Sequence, residues 1–404
     1  MGRAMGTSFV AVGIVTVLIP LAVRVEPPRV TASGETIAPP SSIPADCSSD
    51  VSKSLSPWFN SLPPDTTVDV PSGACYQVDE GIPLKFPAGL TVDGGTFENT
   101  ATSPPPSGKH GINRGYPAFN VLGGSGVTFE NMTIEGADPT GTYTATMAFA
   151  GGIELQGTGS ATISQVTVDG VFGDGVTLAP LRGGKDHESG KIVSPVDNVT
   201  ISTLTVDGAG RMGITFGSVN GAQVSNVSAS NVGLDTFDVE ADQGNEGAVN
   251  VTIDGCTSSS EANSNFARSF FANDGVGSAN DTGDITVENC SMTEPQGTAA
   301  IQAERPGDST TPRGPILFDD DDLSCEQSFS PALAACLVVQ GSDVTIENSS
   351  VAFPSPSSAD EVYDATVSSS LTLSDDDVSG FSSVGTADST STVTVTGGTW
   401  TPAT

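Results

Sequence analysis

A short phrase of alternating apolar and polar residues recurs along the chain from residue 90 onward. In ten of the eleven copies a polar residue, most often threonine, lies between two apolar residues, the exception being Ile316–Phe318, and a turn residue follows shortly after. A period of two predicts a half-buried β-strand. The copies are Leu90–Val92, Val127–Phe129, Ala161–Ile163, Val199–Ile201, Ala222–Val224, Val251–Ile253, Ile285–Val287, Ile316–Phe318, Val344–Ile346, Leu371–Leu373 and Val393–Val395.

The copies start 22 to 38 residues apart, and a second alternating segment precedes most of them. Repeats of this length indicate a solenoid whose coils stack on one another, so we predict an all-β parallel β-helix of about 10 to 11 coils. The second segments are Ile153–Leu155, Val176–Leu178, Ile214–Phe216, Phe237–Val239, Ile301–Ala303 and Leu337–Val339.

The turn after the first strand often contains asparagine, which tolerates a left-handed backbone. We expect positive φ at these asparagines and hydrogen bonds between stacked amides. They are Asn131, Asn226, Asn289 and Asn348.

Six cysteines are present, and none has C-x-x-C spacing. Cys256 and Cys290 follow the turn in consecutive copies, where strands about 4.8 Å apart allow a disulfide. The sequence does not fix the other pairs, which we assign as Cys47–Cys75 and Cys325–Cys336. With two histidines in the whole chain, we predict no metal centre and no cofactor.

The N-terminus has the features of a secretory signal peptide. Arg3 precedes the apolar run Phe9–Val23, and the small residues of Val30-Thr-Ala follow. An uncleaved membrane anchor is the alternative. We predict a signal peptide at 1–32, a linker and helical cap at 33–66 and the β-helix at 67–404. The mature protein is then expected to be secreted, with no membrane contact.

The net charge is −34, with 14 Lys and Arg against 48 Asp and Glu. This surface lacks the basic footprint of a nucleic-acid-binding protein. Hydrophobic residues make up 36% of a chain with 47 glycines, which suits a thin, elongated core better than one thick globular core. We expect a monomer.

Residues 45–400 resemble the bacterial pectin-lyase-like, right-handed parallel β-helix family. An amphipathic stretch with Leu55 and Phe59 leads into Leu62-Pro-Pro, Val68-Asp-Val-Pro-Ser-Gly and Leu90-Thr-Val-Asp-Gly-Gly. The resemblance implies a right-handed β-helix with a helical cap on its N-terminal end. It also implies that the substrate, a polysaccharide, lies along one sheet between long loops.

The outward positions of the second strands define the face on which we expect this substrate, and Glu154, Asp174 and Asp235 are its predicted contacts there. The first outward row is Asn120, Glu154, Thr177, Thr215, Asp238 and Gln302, the next is Gln156, Ala179, Gly217, Glu240 and Glu304, and the corner before the strands carries Asp174, Arg211 and Asp235.

Arg211, Asp238 and Glu240 are the predicted catalytic residues. They resemble an Arg-x-Gly-Ile … Asp-x-Glu pattern of some bacterial β-helix proteins. Asp238 and Glu240 lie on one face with Cα atoms about 6.6 Å apart. Two such carboxyl groups can act as general acid and as base or nucleophile in glycoside hydrolysis. The alternative interpretation is a solvated acidic face.

The few basic residues gather in loops, where Arg182, Lys185 and His187 are predicted to contact substrate. Cations concentrated in this way favour an anionic group such as a uronate. A polysaccharide lyase, with Arg211, Lys185 or His187 in its chemistry, is therefore an alternative. The alternative interpretation of the loop cations is that loops simply hold polar residues of any kind. The chain lacks the combined spaced-Asp set and Arg-x-x-Pro signature of pectate lyases, and it lacks the combined Asn-Thr-Asp, Asp-Asp, His-Gly and Arg-x-Lys set of polygalacturonases.

Calcium is the one metal ion for which the sequence offers candidate ligands, because Ca²⁺ binds carboxylate oxygens. Asp174, Asp235 and Asp238 could hold it, as could the turn runs Asp319–Asp322 and Asp375–Asp377, which we otherwise interpret as acidic turns facing solvent.

A secreted glycoside hydrolase is the function that the sequence favours most. The alternatives are a polysaccharide lyase, a non-catalytic glycan-binding or cell-surface protein, and a phage-type tailspike. The fold alone does not choose between them.

Overall fold

The structure is a computed structural model that describes residues 34–103, 115–138, 140–183, 191–241, 246–259, 269–273, 282–293, 299–304, 313–325, 335–354 and 361–403. The predicted signal peptide lies outside the described residues.

The helical elements are α1 (Ser52–Phe59) and a single 3₁₀ turn at Ala145–Met147. The strands are, in chain order, β1 (Thr36–Ile37), β2 (Asp46–Asp50), β3 (Thr67–Asp69), β4 (Cys75–Gln77), β5 (Ile82–Lys85), β6 (Thr91–Asp93), β7 (Thr96–Glu98), β8 (Phe119–Leu122), β9 (Thr128–Glu130), β10 (Thr133–Glu135), β11 (Ile153–Gln156), β12 (Thr162–Asp169), β13 (Val176–Ala179), β14 (Leu181–Gly183), β15 (Lys191–Ser194), β16 (Val196–Asp207), β17 (Ile214–Phe216), β18 (Ser218–Ser230), β19 (Asp235–Asp238), β20 (Gly247–Ser259), β21 (Ser269–Asn273), β22 (Gly283–Glu288), β23 (Ser291–Thr293), β24 (Ala299–Glu304), β25 (Arg313–Asp319), β26 (Asp322–Ser324), β27 (Ala335–Gln340), β28 (Ser342–Glu347), β29 (Ser350–Ala352), β30 (Glu361–Thr366), β31 (Ser370–Ser374), β32 (Asp377–Ser379), β33 (Ser383–Ala387), β34 (Thr392–Thr396) and β35 (Thr399–Thr401).

Two long sheets run the length of the molecule. The strand pairs within them are parallel, whereas β14 and β15 form a separate antiparallel hairpin. This arrangement confirms the predicted parallel β-helix. One sheet has 22 strands, and β1 and β2, from the segment predicted as linker and cap, pair with β3 and β4 in it. The other, the eleven-stranded sheet, consists of β5, β8, β11, β13, β17, β19, β21, β24, β27, β30 and β33.

The core is a stack of apolar layers because equivalent residues align from coil to coil. Ile153, Val176, Ile214 and Phe237 are register partners in successive strands, and all are buried. The alternation read from the sequence thus places one face of each strand inside and one outside.

Helix α1 covers the N-terminal end of this core. Its Leu55 and Phe59 are buried, and the Phe59 ring packs edge-on against Phe119 with centroids 6.3 Å apart. Asn60, at the helix end, donates to the carbonyl of Pro83 at 2.7 Å and accepts from the N–H of Lys85 at 2.7 Å. Since β5 is the edge strand of the eleven-stranded sheet, Asn60 satisfies backbone groups that would otherwise be open to pairing.

The asparagine turns have the predicted left-handed backbone, with φ between 53° and 55° at all four positions. The predicted ladder between amides is wrong at three of them, because each amide donates to an aspartate of the preceding coil. An ionised carboxylate is the stronger acceptor. The pairs are Asn131 to Asp93, Asn289 to Asp254 and Asn348 to Asp319.

The three predicted disulfides are confirmed. They join Cys47 to Cys75, Cys256 to Cys290 and Cys325 to Cys336. Among the described residues, no helix combines the length and the apolar character needed to cross a membrane.

Two aspartates of the acidic turns are buried, contrary to the prediction that these turns face solvent. Asp321 and Asp376 are 2% and 1% exposed. Each follows the positive-φ residue of its turn, a position held by an inward-facing Met132 or Val166 in earlier coils. They therefore belong to the edge of the core.

Both buried aspartates bind backbone of the preceding coil. Asp321 Oδ1 accepts from the N–H of Cys290 at 2.8 Å, and Asp376 Oδ1 accepts from the N–H of Ser349 at 3.0 Å. Their Oδ2 atoms have no hydrogen-bond partner among the described residues. Burial raises the pKa of Asp321 to about 7 and that of Asp376 to about 6.

Candidate functional site

A cavity of about 110 Å³ opens on the outward face of the eleven-stranded sheet, in the region of β11, β13, β17 and β19. Its position follows from the fold, because the outward side chains of four successive coils meet there. The lining residues are Pro117, Phe149, Glu154, Gln156, Thr177, Ala179, Pro180, Arg182, Arg211, Thr215, Gly217, Glu240 and Glu246.

The register confirms the predicted first outward row, and Ala272 occupies the coil left open between Asp238 and Gln302. The row is Asn120, Glu154, Thr177, Thr215, Asp238, Ala272 and Gln302.

Arg211 links two carboxylates at the pocket. One Nη atom lies 3.2 Å from Asp174 Oδ2, and the other donates to Glu240. The side chains of Arg211 and Asp174 are 13% and 3% exposed, whereas that of Glu240 is 29% exposed. Burial by itself would lower the pKa of Arg211, but Asp174 and Glu240, with Asp238 nearby, raise it above its usual value. Arg211 is therefore a fixed cation.

Asp174 is held by donors from two coils. Its Oδ2 accepts from the hydroxyls of Thr177 and Thr215, both at 2.9 Å, and its Oδ1 accepts from the N–H of Met212 at 3.3 Å. Because these donors and Arg211 surround it, Asp174 acts as a buried anchor for the guanidinium, and it does not line the cavity. Its predicted role as a substrate contact has no support in this geometry.

Glu154 lines the cavity and differs from the other carboxyls there. Burial raises its pKa to about 7, against a hydrogen bond from Gln156, and the negative charge of Asp174 raises it further. Near neutral pH this side chain therefore holds a proton that it can donate. Glu154 was predicted from sequence as a substrate contact; the geometry also suits it to be a general acid.

Arg182 lies in β14 and reaches the cavity, where it forms an ion pair with Glu246. The two side chains are 6% and 1% exposed. Lys185 and His187, predicted beside Arg182 as substrate contacts, lie outside the described residues.

Asp238 and Asp235 lie beside the cavity without lining it. Asp238 is fully buried, although its register position is outward. Asp235 accepts from the N–H and the hydroxyl of Ser269 at 2.8 and 2.5 Å, which ties its coil to the next. Of the predicted catalytic residues, Arg211 and Glu240 thus meet in the cavity, and Asp238 lies behind it.

The predicted calcium ligands do not come together. Asp174, Asp235 and Asp238 do not bring oxygen atoms within 4.8 Å of one another; in the described part of the chain only Cys47, Cys75 and Glu98 meet that condition, and the two cysteines form a disulfide.

Sequence reasoning missed Glu246 and Phe149 as parts of the site. Both lie in connecting segments outside the repeated phrase, so neither alternation nor coil alignment points to them. The pairing of Glu246 with Arg182 is a tertiary contact over 64 residues, for which the local pattern holds no signal.

The structure is similar to solved parallel β-helix proteins. They include the N-terminal fragment of bacteriophage phi29 gene product 12 (TM-score 0.60, 13% identity, 83% of this chain and 56% of that one). The polygalacturonase of Erwinia carotovora ssp. carotovora (TM-score 0.55, 11% identity) matches over 90% of this chain and 100% of its own. A tailspike mutant of Escherichia coli bacteriophage HK620, in complex with a hexasaccharide (TM-score 0.60, 9% identity), matches over 90% of this chain and 64% of its own.

These similarities establish the fold: the chain is a right-handed parallel β-helix, as predicted. The chain spans little more than half of the phi29 fragment and about two thirds of the tailspike, but all of the polygalacturonase. No family model and no curated protein sequence matches the chain.

Proposed function

We propose that the protein is a glycoside hydrolase that acts on a polysaccharide in the pocket of the eleven-stranded sheet, with Glu154 as general acid and Glu240 as the ionised base or nucleophile. The observation that carries this proposal is that two carboxyl groups in one cavity have opposite environments. Burial keeps Glu154 protonated to about pH 7, whereas Glu240 is paired with Arg211. A pair of this kind provides the acid and the base of glycosidic bond cleavage.

Arg211 is a positioning residue in this scheme. Anchored by Asp174, it fixes the direction of the Glu240 carboxylate and keeps it charged. The negative charge of Asp238 favours the charged form of Arg211, and Asp238 does not line the pocket.

Supporting observations come from the fold and the disulfides. The Erwinia protein of the same fold is a polygalacturonase, and the HK620 tailspike holds a hexasaccharide. Three disulfides favour an oxidising environment, so we propose that the protein acts outside the cytoplasm as a secreted enzyme.

A lyase is less well supported. Its chemistry needs a cation that neutralises the substrate carboxylate, but both arginines of the pocket already bind carboxylates. The fold is also compatible with a phage-type tailspike and with a non-catalytic glycan-binding protein. Among the described residues, however, no group of side chains points specifically to either of these functions.

The test is an activity screen of the full chain against neutral and uronate polysaccharides, which follows new reducing ends and unsaturated products separately. We expect reducing ends without unsaturation, lost in Glu154→Gln and in Glu240→Gln. Glu304→Gln is the matched control, since Glu304 is in the same outward row as Glu240, two strands further along, and outside the cavity. Unsaturated products would establish a lyase. Glycan binding without cleavage across the panel would establish a non-catalytic binding protein.

A further inference from the structure

The pocket brings together an unusual balance of charges for a site expected to bind an acidic sugar. Its lining contains three carboxyl side chains, Glu154, Glu240 and Glu246, and two guanidinium groups, Arg182 and Arg211. Each guanidinium binds one of these carboxylates, Arg182 to Glu246 and Arg211 to Glu240. Each positive charge of the described lining is therefore already balanced by a carboxylate of the protein.

Neither ion pair opens readily for a ligand. Arg211 also binds Asp174 on its buried side, so a second carboxylate holds it in place. Glu246 is 1% exposed, and withdrawal of Arg182 would take a cation away from this buried carboxylate. A uronate carboxylate that entered the pocket would have to displace one of these partners or lie beside Glu154 and Glu240 as a third anion.

The remaining lining suits a sugar without charge. Thr177 and Thr215 donate their hydroxyl protons to Asp174, which leaves their oxygen lone pairs available to accept from sugar hydroxyls. Gln156 adds an amide, and Phe149, which is only partly buried, adds an aromatic ring of the kind that suits the C–H face of a pyranose. Neutral polar groups together with an aromatic ring match the amphipathic surface of a hexose.

We infer that this pocket binds an uncharged sugar residue and discriminates against uronates, an inference that rests on the proposed function. The expectation of a uronate came from loop cations. Arg182 is engaged by Glu246, and Lys185 and His187 lie outside the described residues.

The test compares ligands that differ only in charge. Uronate oligosaccharides and their carboxyl-reduced counterparts have the same linkage and length, so their dissociation constants for the Glu154→Gln protein, measured by calorimetry, isolate the effect of the carboxylate. We expect the neutral member of at least one pair to bind ten-fold or more tightly. Equal or tighter binding of the uronate member in each pair that binds, or no binding of any member, would overturn the inference.

A change of the protein's own charge provides the second arm. Glu246→Gln in the Glu154→Gln background removes a carboxylate that binds Arg182, so we expect uronate binding to increase at least five-fold and to weaken as salt is added. The matched control carries both Arg182→Gln and Glu246→Gln in the same Glu154→Gln background. It removes both partners of the ion pair and should show no increase in uronate binding. If Glu246→Gln does not fold, Glu240→Gln removes the more exposed of the two carboxylates that bind Arg211, while Asp174 still holds the guanidinium in place. No gain in a folded variant would count against the inference.

The outcome separates the inference from the proposed function. Cleavage of a uronate polysaccharide, lost in Glu154→Gln, would preserve the hydrolase and overturn the neutral-sugar inference. Lys185→Gln, His187→Gln would then show whether the loop supplies the cation. Tight binding of a neutral oligosaccharide without cleavage by the unchanged protein would preserve the inference and overturn the hydrolase.

Discussion

The guanidinium of Arg211 lies 3.2 Å from a carboxylate oxygen of Asp174, a residue of the preceding coil that is almost wholly buried. This contact fixes the inner end of a chain of charges whose outer end, Glu240, lies in the cavity. Stacking of the coils thus converts positions 37 residues apart into one rigid unit beneath the pocket.

Replacement of Arg211 tests this unit. In Arg211→Met the buried Asp174 loses its cation, and the loss of one partner of a buried ion pair costs about 3 to 5 kcal/mol of unfolding free energy. In Arg211→Lys one ammonium cannot bind both carboxylates in the same geometry. We expect Arg211→Lys to fold with a melting temperature between those of the wild type and Arg211→Met. Its kcat should be at least ten-fold lower than that of the wild type. Unfolding by denaturant and steady-state kinetics provide the two measurements.

The pH profile distinguishes positioning from structure alone. Because Arg211 favours the charged form of Glu240, the acidic limb of kcat should move to higher pH in Arg211→Lys. Lys53→Met is the control, since Lys53 and Glu80 form a solvent-exposed pair and their loss should leave activity and melting temperature unchanged. An unmoved acidic limb with reduced kcat would assign Arg211 a purely structural role.

The pKa of Glu154 should set the basic limb of the pH profile of kcat. Its pKa of about 7 means that activity should fall as pH rises through 7, because the group must carry a proton to act as acid. Glu154→Gln should lower kcat by about 100 to 10,000-fold. Since the folded-state pKa is raised, wild-type stability declines between about pH 4.5 and 7, and the variant should lack this decline. Activity that stays constant from pH 6 to 9 would exclude Glu154 as the acid.

The separation of the two glutamates predicts the stereochemistry of cleavage. Three strand spacings and two residues along the strand place their Cα atoms about 16 Å apart. Two glutamate side chains that point toward each other shorten this by about 8 Å at most. The shortest carboxyl separation that this allows, about 8 Å, lies in the range of the wider inverting arrangement and above that of the retaining one. Proton NMR of the first-formed product should therefore show the inverted anomer; the retained anomer would point to a closer pair of carboxyls.

Much of the fold could be predicted because its determinants are local and repeated. The alternation around Glu154, Thr177 and Thr215 fixed which side chains face outward, and the shared turn fixed how the coils align. Cys256 and Cys290 could be paired for the same reason, since both follow that turn in adjacent coils.

The pocket could be predicted only in part. The place of a residue in the outward row predicts the side of the sheet to which its side chain points, but it does not predict whether other residues cover that side chain. Asp238 has the outward position that the pattern indicates, yet it is fully buried, whereas Glu154 lines the cavity and is the residue that we propose as the acid instead. Glu246 belongs to no repeat. The burial of Asp321 was available from the sequence: the residue after the turn is apolar in the earlier coils, and only the acidic run around it suggested solvent.

From the burial of Asp321 and Asp376 we predict that the C-terminal coils lose stability as pH rises. Their folded-state pKa values, about 7 and about 6, exceed the ordinary 3.8 because burial disfavours the charged form. The stability that their protonated forms contribute is complete below about pH 4 and is lost as pH rises through 6 to 7.

Asp321→Asn isolates this effect, because the amide oxygen can still accept from the N–H of Cys290 while no charge can form. At pH 8 the variant should be more stable than wild type by on the order of 2 to 4 kcal/mol, since one pKa unit corresponds to about 1.4 kcal/mol. At pH 4 the two proteins should unfold alike. Asp322→Asn removes the same charge from an exposed position of the same run and should leave the pH dependence unchanged. Denaturant unfolding at both pH values measures the difference, and equal stability of wild type and Asp321→Asn at pH 8 would mean that the Asp321 carboxylate is solvated.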